Sequence, residues 1–158
     1  MRALERLYIV IHNVHSVIRL VEAARIVYGM GIKNFVITRA IGAAAQEGVP
    51  EVYKLAIRCK GNLIFLKDLD DLVETLKPVK MYLFVPPQHA KEEFDPSKVI
   101  ERLSEGNVML VFGGAEPGLS KRDLERGTPV CLNTPGDVGT LGSLAICLYK
   151  LLEALKGS

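Results

Sequence analysis

The sequence predicts an α/β fold: a mostly parallel sheet of six strands with helices on both faces. Three observations predict it. Apolar, β-branched runs recur along the chain; segments of helical periodicity separate them; and glycine, proline and asparagine mark the joins. No internal repeat, low-complexity stretch or linker divides the chain, so residues 1–158 read as one domain.

Taken in order, residues 7–11 are a short β-branched run and predict the first strand. Residues 16–30 predict a helix, with Val17, Ile18, Val21 and Ala24 on an apolar face and Arg19, Glu22 and Arg25 on a polar stripe. Gly29 and Gly31 end it. Residues 34–38 are the second strand. A small-residue stretch, 41–48, leads through Pro50 into a helix ending near Lys60. Residues 63–66 and 81–85 predict strands around a helix at 68–76. Pro96 opens a helix to Leu103, the first turn being where proline is tolerated. Residues 108–112 are the fifth strand, 119–126 a short helix, 129–132 the sixth strand and 140–156 the final helix.

Apolar residues at 49% and charged residues at 24% describe an ordinary soluble globular chain. A net charge of +2 means that any nucleic-acid footprint is local, not global. Cys59, Cys131 and Cys147 form no CxxC pair and no metal spacing, and are read as reduced core residues of a cytoplasmic protein. The N-terminal apolar run is short and preceded by Glu5 and Arg6, unlike a signal peptide, and no stretch reads as a membrane span. Gly29-Met30-Gly31 follows a helix and lacks a third glycine, so it is no dinucleotide fingerprint.

In parallel α/β folds, ligands gather beyond the carboxyl ends of strands. Three such loops carry chemistry. The first follows strand one and holds His12, Asn13, His15 and Arg19. Arg19 either forks onto a phosphate or pairs with Glu22; the two histidines lack further ligands for a metal. The second, residues 113–120, brackets Glu116 with Gly113, Gly114 and Gly118, then offers Ser120 as a helix cap for Asp123. It lacks the lysine of a P-loop. The third, residues 132–143, is rich in turn residues and runs into the final helix, with Asp137 or Thr140 as its cap.

In this order the three loops resemble the motifs of SpoU-type RNA ribose methyltransferases of the SPOUT superfamily. Asn13, Arg19 and Gly29 match the first motif, Gly114-Ala115-Glu116-Pro117-Gly118-Leu119-Ser120 the second, and Leu132 through Thr140-Leu141-Gly142 the third. The resemblance covers nearly the whole chain. It implies a C-terminal deep trefoil knot, a homodimer, and S-adenosylmethionine held in bent form by backbone groups. It assigns cofactor contacts to Val85, Gly114, Glu116, Gly118, Leu132, Asn133, Thr140 and Leu141, and catalytic roles to Arg19, Asn13 and Glu116. Arg19 would orient a ribose 2′-hydroxyl of tRNA or rRNA and stabilise its charge, and Glu116 would organise its loop. Gly142 stands where the family has asparagine. That departure keeps two alternatives in view: a catalytically silent homodimer binding RNA or a partner, and a knotted methyltransferase with another acceptor. RNA would be met by basic residues such as Arg39, Lys121, Arg122 and Arg126. On the final helix, Leu141, Leu144, Ala145, Leu148, Leu152 and Leu155 form an apolar stripe, widened by Ile146 and Tyr149, that suits either a partner subunit or full burial.

Overall fold

The apolar runs do become strands, and all of them pair in parallel. The computed structural model describes residues 2–116 and 118–157. Its strands are β1 (Leu7–Val14), β2 (Asn34–Ala40), β3 (Asn62–Leu66), β4 (Lys80–Phe84), β5 (Glu92–Glu93), β6 (Val108–Gly113) and β7 (Thr128–Cys131). They form one sheet in the order β3-β2-β1-β6-β4-β7-β5. The count is seven, not six. The missed strand, β5, is a pair of glutamates with no apolar run to announce it. Its neighbours hold it: the Lys91 N–H donates to the Pro129 carbonyl at 2.9 Å and the Phe94 N–H to that of Cys131 at 2.8 Å.

The helices are α1 (Val17–Gly29), α2 (Val49–Cys59), α3 (Leu69–Leu76), α4 (Pro96–Leu103), α5 (Lys121–Leu124) and α6 (Gly139–Lys156). Several starts are capped as their sequence implies. Ser16 accepts the Arg19 N–H, Asp68 that of Asp71 and Asp95 that of Ser97. Ser120 and Asp123 form a reciprocal capping box. The helix after that box is one turn, shorter than the predicted 119–126. The small-residue stretch before α2 winds as a π turn, Ala44–Gly48.

Alternation along the strands sorts side chains into two cores. Leu7, Ile9, Ile11, Leu110 and Phe112 pack with α1, α2, α4 and α6; Val10, Met109 and Val111 pack with Leu69 and Leu72 of α3 and, beyond β6, with Leu119 and Leu124. On α6 the buried line runs through Leu144, Cys147, Leu148, Leu151 and Leu155, while Leu141, Ala145 and Leu152 flank it half-buried and Tyr149 is exposed. Of the three cysteines read as core, only Cys147 is buried; Cys131 is half-buried and Cys59, at the end of α2, is exposed. Among the described residues no helix is long and apolar enough to cross a membrane.

Candidate functional site

The chain leaves β1 for α1 on one face of the sheet and leaves β6 for α5 on the other. Neighbouring strands whose connections diverge in this way open a crevice at their carboxyl ends. β1 and β6 are neighbours, in register from Leu7↔Val108 to His12↔Gly113. At the end of β6, two glycines tie the three motif loops together. The Gly114 N–H donates to the His12 carbonyl at 2.8 Å. Arg19 Nη1 donates to the Gly114 carbonyl at 2.9 Å. Thr140 Oγ1 donates to the Gly113 carbonyl at 2.8 Å. Glycine is required here for space: a Cβ on Gly113 would lie 3.0 Å from the Gly118 Cα, and one on Gly114 would lie 2.7 Å from the Val14 Cβ.

Beside this knot of contacts lies a cleft of about 730 Å³, a size that holds a nucleoside-scale ligand. Its apolar wall includes Phe84 and Phe112, whose rings stack at 4.3 Å, with Leu119, Leu132 and Val138. The remaining lining includes Val85 and Pro86 after β4, Gly113, Ala115, Glu116 and Gly118 at and after the end of β6, and Thr134 to Thr140 where the chain enters α6. Local bonds set that last loop. Thr134 Oγ1 donates to the Gly136 carbonyl and the Gly139 N–H to Asp137 Oδ1, both at 2.8 Å. Gly139 has φ +74°, which glycine adopts without a Cβ penalty.

His12 is a functional-site neighbour that sequence reasoning undervalued. β1 continues past Ile11, so period two turns His12 inward with Val10. It is 1% exposed. Its Nδ1 lies 2.8 Å from Thr38 Oγ1, and its Nε2 faces Asp123 Oδ2 at 3.6 Å with no hydrogen-bond partner among the described residues. Burial holds the imidazole below its usual range; the Asp123 carboxylate acts the other way, less strongly. Since Asp123 also accepts the Ser120 N–H at 2.9 Å, His12 underlies the turn that ends the glycine loop.

Of the residues singled out from sequence, Val85, Glu116, Gly118, Leu132 and Thr140 line the cleft; Gly114, Asn133 and Leu141 stand outside its lining. Glu116 is exposed and makes no hydrogen bond among the described residues. Arg19 holds Gly114 rather than Glu22, which pairs with Arg25 at 3.9 Å. Asn13 adopts φ 64°, and its Oδ1 lies 3.2 Å from His15 Nε2. At Gly142 an added Cβ would lie 3.0 Å from the Val138 Cβ, so an asparagine there would press on Val138. Lys121 lines the cleft and Arg126 is paired with Asp70. No three His, Cys, Asp or Glu side chains gather as metal ligands among the described residues.

The family described as RecB-family nuclease (DUF2122) matches residues 42–150. A curated protein of Methanocaldococcus jannaschii, named "Putative type II restriction enzyme MjaORF1200P", is 35% identical over 96% of this chain and 100% of its own length. One of Aeropyrum pernix, "Putative type II restriction enzyme ApeKORF2002P", is 40% identical over 91% of each. The fold is that of another class. A structure titled as a putative methylase family protein from Neisseria gonorrhoeae superposes with TM-score 0.81 at 14% identity, covering 99% of this chain and 85% of that one. The SpoU methyltransferase AviRb from Streptomyces viridochromogenes, in complex with AdoMet, superposes with TM-score 0.72 at 10% identity over 95% and 58%. The chain therefore shares the parallel α/β fold of these methyltransferases. The function expected from the motifs, an RNA ribose methyltransferase, is overturned by the family and both relatives, which carry nuclease and restriction-enzyme names. The physical reason is that glycine loops and capping boxes specify a backbone path, while chemistry lies in a few side chains.

Proposed function

We propose that this chain, which belongs to the family described as RecB-family nuclease (DUF2122), binds S-adenosylmethionine or a ligand of the same adenosyl-sulfur class in the cleft between β4, β6 and β7. The observation that carries the reading is the glycine-walled cavity of about 730 Å³, apolar on one side and loop backbone on the other. Leu132, Leu119 and Val138 offer a face for a nucleobase, and the loops after β4 and β7 offer backbone donors and acceptors to its polar edge. Calorimetric titration with S-adenosylmethionine and S-adenosylhomocysteine tests it. One site per chain is expected, lost in Val138→Trp, which fills the cleft from an exposed position. Absence of heat with either ligand overturns the reading. The same reading takes in a C-terminal trefoil knot and a homodimer. α1 and α6 pack side by side and leave Ile18 and Tyr149 exposed, and Tyr149→Lys is expected to lower the mass in sedimentation.

A second reading, phosphodiester hydrolysis, is favoured by the family match. Metal-assisted hydrolysis relies on ions held by clustered ligands, and the described residues bring no three such side chains together. Incubation with single- and double-stranded DNA and RNA in magnesium or manganese tests it. Cleavage that copurifies with the chain establishes it, and intact substrate rejects it.

A further inference from the structure

A second cavity, of about 470 Å³, opens at the carboxyl ends of β2 and β3 and is lined by Arg39, Ala40, Phe65, Leu66, Lys67 and Asp68. Arg39 has φ +50°, a left-handed backbone that costs a non-glycine residue about 1 kcal/mol or more. Its neighbour across the β1–β2 pair is Asn13, between the partners His12↔Thr38 and Val14↔Ala40, and Asn13 is left-handed too. Both strands therefore kink together at this edge. The Arg39 N–H is fixed to the Lys67 carbonyl at 3.0 Å.

The charges in this cavity are unevenly committed. Asp68 caps α3, its carboxylate accepting the Asp71 N–H at 3.1 Å. Arg39 and Lys67 are exposed, and neither side chain makes a hydrogen bond or ion pair among the described residues. Phe65, on the edge strand β3, leaves 49% of its surface to solvent between them. An aromatic face flanked by two exposed cations, which feel the Asp68 carboxylate but are held by no hydrogen bond or ion pair among the described residues, matches a base flanked by its phosphates. A duplex base is already stacked and cannot use such a ring, so the fit is to an unpaired strand.

We propose that this second cavity is a subsite for single-stranded nucleic acid, with one base stacked on Phe65 and the adjoining phosphates held by Arg39 and Lys67. The subsite lies along the same carboxyl edge as the larger cleft. Two to three strand spacings separate them, roughly 10–15 Å, so one extended strand can reach from one to the other. The subsite does not depend on what occupies the cleft.

Fluorescence anisotropy with labelled single-stranded RNA, single-stranded DNA and duplex DNA, each titrated with salt, tests the proposal on the full chain. Single strands of either sugar are expected to bind more tightly than duplex. Phe65→Ala is expected to weaken single-strand binding roughly five- to a hundredfold, and Phe65→Tyr to keep it. Arg39→Gln and Lys67→Gln are each expected to reduce the slope of log affinity against log salt by about 0.7. All three positions of change are exposed, so circular dichroism should be unaltered. Preference for duplex, equal affinity in Phe65→Ala, or no binding to any strand would overturn it.

Discussion

Arg19, in the first turns of α1, reaches 95 positions along the chain to donate a hydrogen bond to the carbonyl of Gly114 at 2.9 Å. The bond pins the start of the glycine loop to the opposite face of the sheet. Arg19→Ala is therefore expected to lose about 1–2 kcal/mol of unfolding free energy by urea titration. It is also expected to weaken binding of S-adenosylmethionine several-fold by calorimetry, because the cleft wall is no longer held. Wild-type stability and affinity in the variant would show that the loop holds itself.

Gly114→Ala and Gly136→Ala form a contrasting pair. At Gly114 a Cβ would lie 2.7 Å from the Val14 Cβ and 3.0 Å from the Asn13 carbonyl oxygen, whereas at Gly136 it meets nothing within 4 Å. The first substitution is expected to cost about 1–3 kcal/mol by overpacking. The second is expected to stay within about 0.5 kcal/mol of wild type. Thermal melts of both variants check the contrast.

Thr140→Val keeps the shape of the side chain and removes the donor to the Gly113 carbonyl. A loss of about 1 kcal/mol is expected, and Thr140→Ser should recover most of it. Equal melting of the valine and serine variants would assign the bond no weight.

The buried His12 sets a direction for stability against pH. Its folded pKa lies below the ordinary 6.5, so the unfolded chain binds more protons as pH falls under that value. The contribution is fully present above 6.5 and is lost as pH drops toward the folded pKa. Four charged groups act on the imidazole: Asp123 from α5, Arg126 just beyond it, Arg39 from the end of β2 and Asp68 at the cap of α3. Melting temperatures from about pH 7.5 to 5.5 are expected to fall more steeply in the wild type than in His12→Asn. Parallel profiles would remove His12 from the account.

Most strands were legible because their apolar, β-branched runs leave little alternative to burial between two helix layers. β5 was not, since two glutamates join the sheet only through backbone groups on either side. Of the predicted site, Gly113 and Gly118 are readable as turn residues, whereas Thr140, expected as a possible helix cap, lies inside α6 and binds the Gly113 carbonyl instead. The burial of His12 is not legible, because the β-branched run ends at Ile11 while β1 continues to Val14, and only the longer strand carries the alternation that turns His12 inward. The second cavity was equally hidden. Arg39 and Phe65 lie 26 positions apart in sequence, and only the β2–β3 register brings their ends together.

The order of strands also sets a timetable for the ribosome. β1 emerges early, yet one of its edges waits for β6, which begins only at Val108. Until then a growing chain carries a long apolar strand with an open hydrogen-bonding edge, the kind of template that invites mispairing or chaperone capture. Gly139, Thr140 and Ser143 of α6 close the lining of the cleft, so a product stalled before them has the whole sheet and an incomplete place for a ligand.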